Sequence, residues 1–309
     1  MSVKLLIGTQ AILTEQISIT KTIDSLCDNF TLSLPHTKIN INEKVEITIN
    51  EKLVMCGYIN IIKHATPANN NMLTLAGRSM SQDIIDSRIT HSAHNKNLAD
   101  LAAELFKKFS QTFSTQITTK SIADFSIVAE SAFEALSQLA KQQNLIFIEN
   151  SDGSVKLVTP ADVDKTHIKL DAHNLSDFNV SEDLSKFFNT TTVKSNPAAN
   201  NLAAETHNSN SYTINIDKVR AVRQFEVIAD KLDNLAACKD RATELINQAK
   251  ADSISASGNA DGWLDPAGQL WSVNSLYTVN NERMLLASAA FEQSGSERTT
   301  KLQFKGYNG

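Results

Sequence analysis

The chain has 309 residues, 41% of them hydrophobic and 20% charged, with 29 Lys and Arg against 34 Asp and Glu, for a formal net charge of −5. The length exceeds a typical single domain, so two or three packed units are expected. The acidic balance, with no Lys/Arg cluster beyond Lys107–Lys108 at the end of an expected helix, argues against duplex nucleic acid as a partner, because phosphate binding needs concentrated basic charge.

The opening stretch MSVKLLIGTQAILT is interrupted by Thr9 and Gln10 and is followed by no small-residue cleavage site, so no secretory signal is expected. No run approaches the ~18 apolar residues of a membrane span, and no membrane anchor is expected. Cys27, Cys56 and Cys238 are odd in number and far apart. They point to reduced thiols and not to a disulfide framework.

Residues 1–92 read as a first β-barrel-like domain. KVEITIN (44–50) alternates, with Val45, Ile47 and Ile49 on one face. LVMCGYINIIKH (53–64) continues the pattern, and Gly57 marks a bulge or a close backbone approach. MLTLAGR (72–78) is a further strand, and PANNN (67–71) is a loop by turn chemistry.

Residues 93–165 change character and read as an α/β domain. NLADLAAELFKKF (97–109) places Leu98, Leu101, Ala102, Leu105, Phe106 and Phe109 on one helical face, with Asn97 as N-cap and Asp100 in the first turn. AESAFEALSQLAKQQ (129–143) repeats the spacing as a second helix. LIFIENSDGSVKLV (145–158) is a hairpin turning at Asp152-Gly153.

Residues 166–309 read as a second β-barrel-like domain. SNPAANNLAAETHNSNS (195–211) is a polar loop, KVRAVRQFEVIAD (218–230) a strand, and 230–250 the longest helix, with an Ala-rich apolar face. Turns are expected at Asn280-Asn281 and at Gly295. The fold class is α+β: two small β-barrel-like domains around a helix-helix-hairpin unit.

The search for chemistry finds no catalytic constellation. His91 and His94 in THSAH have a spacing that can place two imidazoles on one helix face, but no third ligand lies near them in sequence; the alternative is a polar lead-in to the Asn97 helix. Asp83 with Asp86, and Asp261 with Asp265, are carboxylate pairs. A glycosidase takes its pair across a cleft, usually from different elements, which sequence neighbours rarely provide. Asp86 is better read as a local ion pair beside Arg88, and Asp265 as the opener of a turn before Pro266. There is no nucleophile elbow, P-loop or dinucleotide fingerprint. No enzyme activity, metal or cofactor is expected.

Both tryptophans lie in GNADGWLDPAGQLWSVNS (258–275). DPAG (265–268) fits a type I turn. Pairing around it places Trp263 opposite Leu270 and Trp271 opposite Gly262, with the two indoles in diagonal reach. They are read as core anchors of a hairpin, against the alternatives of a sugar- or base-stacking platform or a protein interface.

Several of these segments together resemble the Mu-like phage baseplate hub, or 43 kDa tail protein, family. CGYINII (56–62) is similar to its G-Y-I-D strand, with Gly57 and Tyr58 aligned. LTLAGRSMSQDIIDSRI (73–89) is similar to its G-R-S…D segment through Gly77, Arg78, Ser79, Asp83 and Asp86. SAFEALSQLAKQQNLIFIENSDGSVKLV (131–158) resembles its helix and hairpin, and DGWLDPAGQLWSVNS (261–275) its double-Trp element with Trp263 and Trp271. Asn60 stands where the family has Asp, and the chain is short for the family, with the N-terminus and 195–211 as places for the missing length.

The resemblance implies a fold shared with the hubs of larger myophages and with type VI secretion spike bases. It implies a homotrimeric ring whose two similar β domains per subunit give pseudo-sixfold symmetry. Its partners would be a central tail spike protein and the tail tube with neighbouring baseplate proteins, and phage DNA would pass through the lumen without specific binding. The location implied is the virion tail baseplate, with assembly in the host bacterial cytoplasm. Gly57, Tyr58, Gly77, Arg78, Asp83, Asp86, Trp263 and Trp271 are then fold or interface residues, with Arg78 and Asp86 paired across a turn. The alternative function is a tail-associated protein that binds or degrades cell-wall polysaccharide.

Overall fold

The computed structural model describes residues 3–14, 16–65, 72–196, 210–230 and 235–307. The loop expected at 67–71 and most of the polar stretch 195–211 lie outside them.

The first region is all strand: β1 (Val3–Ile7), β2 (Gln10–Ile12), β3 (Gln16–Thr22), β4 (Asn29–Pro35), β5 (Lys44–Ile49), β6 (Lys52–Ala65) and β7 (Met72–Ser79). Then come α1 (Gln82–Asp86), β8 (Arg88–Asn97), α2 (Leu98–Lys108), β9 (Phe113–Ser114), β10 (Ser121–Ser131), α3 (Ala132–Lys141), β11 (Ile146–Glu149) and β12 (Val155–Val158). The last region holds β13 (Val163–Leu170), β14 (Ser176–Glu182), β15 (Thr190–Asn196), β16 (Ser211–Asn215), β17 (Gln224–Asp230), α4 (Leu235–Asp252), β18 (Ile254–Asp261), β19 (Ser275–Val279), β20 (Glu282–Ser294) and β21 (Glu297–Gly306). The described residues are thus mostly β, with few helices.

All strands of the first region and all of the last except β15, β16 and β17 join in one 13-stranded sheet, ordered β14-β18-β21-β20-β3-β4-β7-β6-β5-β1-β2, with β13 and β19 attached beside β20. The junction is the antiparallel β20–β3 pair, in register from Ser288↔Thr22 to Ser294↔Gln16. Alternation builds this sheet: Val45, Ile47 and Ile49 of β5 are all buried, as a half-buried strand requires. They enter a large core shared with Ile17, Ile19, Phe291 and Phe304. Each such side chain contributes about 1.5–3 kcal/mol on burial.

The middle region has its own core around Leu101, Phe106, Leu136 and Phe147. The Asn97 carboxamide accepts the Asp100 N–H at 2.8 Å and caps α2. The second helix starts at Ala132, not at 129. Ala129 takes φ +53° beside a bulge in the β8–β10 ribbon, and the Ser131 hydroxyl caps the helix that follows. Segment 218–230 is extended only from Gln224, after turns through Arg220 and Arg223. The long helix covers Leu235–Asp252, and 231–234, also within its expected span, lie outside the described residues. Asn280 and Asn281 both take positive φ, and Gly153 turns the β11–β12 hairpin at φ +84°. A third, smaller unit is the sheet β16-β15-β17 with α4 laid against β15 and β16.

Candidate functional site

Gly57 and Gly77 lie two positions apart on the paired strands β6 and β7, where Gly57 lies opposite Ser79, Tyr58 opposite Arg78 and Ile59 opposite Gly77. A Cβ on Gly57 would stand 2.2 Å from the Arg78 carbonyl oxygen. One on Gly77 would stand 2.1 Å from that of Tyr58 and 2.4 Å from Cζ of Phe30. The requirement at both positions is therefore close approach; neither takes a positive φ. The bulge lies instead between Ile59 and Ile61, at Asn60, whose Nδ2 donates to Gln82 Oε1 at 2.8 Å.

Arg78 reaches across the following turn to Asp86 with both terminal nitrogens, Nη1 to Oδ1 at 3.1 Å and Nη2 to Oδ2. This fork fits a carboxylate, and its hydrogen bonds hold the Asp86 carboxyl below its ordinary range. The guanidinium partner of Asp86 is thus Arg78, not the neighbouring Arg88. Asp83 is exposed in the first turn of α1, so the structure does not bring Asp83 and Asp86 to a common cleft.

Ser79, next to Arg78, belongs to a buried polar seam between the main sheet and the middle region. Its hydroxyl accepts the Asp28 N–H at 2.9 Å and donates to Glu149 Oε2 of β11. The other Glu149 oxygen accepts the Ser81 N–H at 3.1 Å. Asp28 pairs with Lys21 at 2.9 Å. Gln111 donates to Ser81 Oγ at 2.8 Å and to the Gly153 carbonyl at 3.2 Å. Burial pushes the Glu149 carboxyl up to about 7 and the Cys27 thiol up to about 11. Ser79, Ser81, Glu149 and Gln111 are all buried, so this seam presents no reacting group to solvent.

The tryptophan turn forms as a turn but in a different register. Gly268 N donates to the Asp265 carbonyl at 2.8 Å, and the bridge across the turn is Leu264↔Leu270. Trp263 is fully buried, packs edge-on against Phe291 at 6.4 Å and donates Nε1 to the Glu292 carbonyl at 2.9 Å. Trp271 is 3% exposed and packs on Tyr277 at 5.5 Å. Each indole therefore anchors to a different strand of the same core, and neither offers a face to a sugar or base.

Asp265 does more than open the turn. Its Oδ1 accepts the N–H groups of Ala267 and Gln269, and its Oδ2 pairs with the buried Lys165 at 2.7 Å. Asn274, at φ +63°, accepts the Ala161 N–H and donates to Thr159 O and Asp162 Oδ1. It ties the turn to the segment entering β13. Sequence reasoning missed Lys165, Glu149 and Asn274 as partners, although Asn274 is the Asn of the double-Trp element.

His91 and His94 lie on β8, not on a helix. His91 meets Lys108 and Glu104, whereas His94 pairs with Asp124 at 2.6 Å. Among the described residues no group of three or more His, Cys, Asp or Glu is placed to hold a metal.

No family model matches the chain. It is 25% identical over 283 residues to the baseplate hub protein gp44 of Escherichia phage Mu, covering 85% of this chain and 74% of that protein. Among solved structures, the 43 kDa tail protein of prophage MuSo2 from Shewanella oneidensis superposes with a TM-score of 0.85 at 18% identity, over 98% of this chain and 97% of that one. The E. coli c3393 protein, described as a type VI secretion component structurally similar to the T4 tail proteins gp27 and gp5, gives 0.64 at 8% identity, over 99% and 77%. The chain is thus short against the phage Mu protein but not against the Shewanella one. The resemblance to the Mu-like baseplate hub, or 43 kDa tail protein, family holds in sequence and in fold.

Proposed function

We propose that this chain is the structural hub of a contractile phage or prophage tail baseplate. In this reading it forms a homotrimeric ring that joins a central spike to the tail tube and leaves a channel for DNA. The observation that carries the reading is the likeness to a baseplate hub protein over 283 residues, together with a shared fold across nearly the whole chain. Residues 1–92 and 166–309 supply two similar β-barrel-like domains for pseudo-sixfold symmetry, and 93–165 is the insert between them. The protein acts as architecture, not as an enzyme, and Gly57, Tyr58, Gly77, Arg78, Asp83, Asp86, Trp263 and Trp271 set its fold and interfaces. The net charge of −5 suits a lumen that releases DNA. Assembly takes place in the host bacterial cytoplasm, and the working location is the virion baseplate.

Light scattering on a sizing column, with negative-stain images of the same peak, tests this. The expected species has about three times the 33.9 kDa chain mass and an open centre. A monomer at high concentration overturns the ring.

A further inference from the structure

The free strand edges of the described residues are not alike. Edges invite pairing with other chains, and proteins blunt them with short strands, bulges, lysine or proline. At one end of the main sheet β2 has three residues; at the other β14 is bulged between Ser176 and Asn179 and carries Asp177 and Glu182. The edge of β17 is neither short nor bulged and has no lysine or proline; the charged residues of its sequence are Glu226, which Lys194 pairs at 2.6 Å, and Asp230 at its end. Its seven residues, QFEVIAD, run in unbroken parallel register with β15, from Thr190↔Gln224 to Asn196↔Asp230. Its other side pairs with no strand among the described residues.

Among the described residues the small sheet is incompletely covered beside this edge. Helix α4 lies over β15 and β16, which leaves an apolar groove of about 290 Å³ toward β17, lined by Phe187, Phe188, Phe225, Leu245, Ile246 and Ala249 among others. Phe225 is 36% exposed, stacked on Phe188 at 4.8 Å, and Ile228 on the other face of β17 is 65% exposed. Its apolar lining beside an open strand edge suits the side chains of an added strand.

The rim is basic within an acidic protein. Lys186 lines the groove, Lys218 Nζ stands 5.7 Å over the Phe187 ring, and Arg223 stands 5.3 Å over Phe188; Asp252 is the acid on the rim. The backbone holds Arg223 in place, since it donates to the carbonyls of Leu184 and Ser185.

We propose that β17 accepts an extended segment of another protein as a fourth strand. Alternate apolar side chains of that segment fill the groove against α4, and its carboxylates meet Lys186, Lys218 and Arg223. Strand addition draws affinity from main-chain hydrogen bonds and specificity from pockets for alternate side chains, and both are present here. The proposal does not depend on the hub reading.

The test uses the full chain and a fluorescent nine-residue peptide with valine and phenylalanine at alternate positions, glutamate at both ends of that same face and threonine between, so that acids and apolar side chains share the groove side, followed by anisotropy. Saturable binding is expected. Lys186→Glu with Lys218→Glu should weaken it at least about tenfold while the circular dichroism stays unchanged. A peptide with lysine in place of glutamate should bind at least as weakly. N-methylation of alternate peptide amides on the pairing edge should abolish binding. No binding by the wild type, equal binding by the N-methylated peptide, or equal binding by the rim variant each overturns the proposal. Self-association of the wild type that Lys186→Glu with Lys218→Glu abolishes would assign the edge to a second copy and also overturn it.

Discussion

Two glycines, one buried ion pair and one buried carboxyl hold the candidate site at the level of single residues. Gly77→Ala places a methyl group against the Tyr58 carbonyl and the Phe30 ring. Neither has room to retreat inside a paired strand, so denaturant unfolding should show a loss of about 3 kcal/mol. Gly262→Ala meets nothing within 4 Å and suffers only from φ +77°, a cost of about 1–2 kcal/mol. Asp265→Ala leaves the Lys165 ammonium buried without its partner and should cost about 3–5 kcal/mol, whereas Asp265→Asn combined with Lys165→Met should recover much of it. Glu149 gives a pH dependence with a definite sign. Its folded pKa is raised from 4.5 to about 7 because burial disfavours the charge. Its stabilising contribution is fully present below about pH 4.5 and is lost as the pH climbs through 7, about 3 kcal/mol in all. Asp28, raised for the same reason, adds in the same direction. The urea midpoint should therefore fall between pH 5 and pH 8, and Glu149→Gln should flatten that slope; an equal slope in the variant refutes the assignment.

At the scale of elements, what could be read beforehand was whatever a local period or cap encodes. The alternation of β5, the apolar face of α2, the Asn97 cap and the DPAG turn all formed where the sequence placed them. Asn97→Ala should cost about 1 kcal/mol, seen as faster hydrogen exchange in the first turn of α2. Helix α1 has five residues, too few to show a period. Strand β8 reads RITHSAHNKN, mostly polar, with only Ile89 and Ala93 on its core face, so its pairing with β10 has a weak local signature. The late start of the second expected helix comes from a backbone choice at Ala129 that alanine does not advertise. The Trp turn slipped by one residue because the anchors are Phe291 and Tyr277, which lie on other strands. The polar seam and the Lys165–Asp265 pair join residues 70 and 100 apart in sequence. Only the folded topology brings such partners together, so no motif spacing reveals them.

For the molecule as a whole, the arrangement of cores decides how it comes apart. The first and last regions share the β3–β20 junction and one contiguous core, which includes Ile17, Ile19, Trp263 and Phe291. The middle region packs on a separate core around Leu101, Leu136 and Phe147. It meets the main sheet through the seam of Ser79, Ser81, Gln111 and Glu149. Residues in one contiguous core lose protection together, whereas separate cores can open at different free energies. Leu136→Ala removes a fully buried side chain from the middle core and should cost about 2–5 kcal/mol there. Hydrogen exchange should then speed up across α2, α3 and the β11–β12 hairpin while β4, β7 and β20 keep their protection. Phe291→Ala, by contrast, should weaken β3, β4, β20 and β21 together, although β3 and β20 lie at opposite ends of the chain. If Phe291→Ala loosened only the strands of the last region, the junction would be a contact between two independent units and the common core would not be cooperative. The observed register argues otherwise: Phe291 pairs directly with Ile19, both side chains are buried, and removal of the ring takes packing from both regions at once.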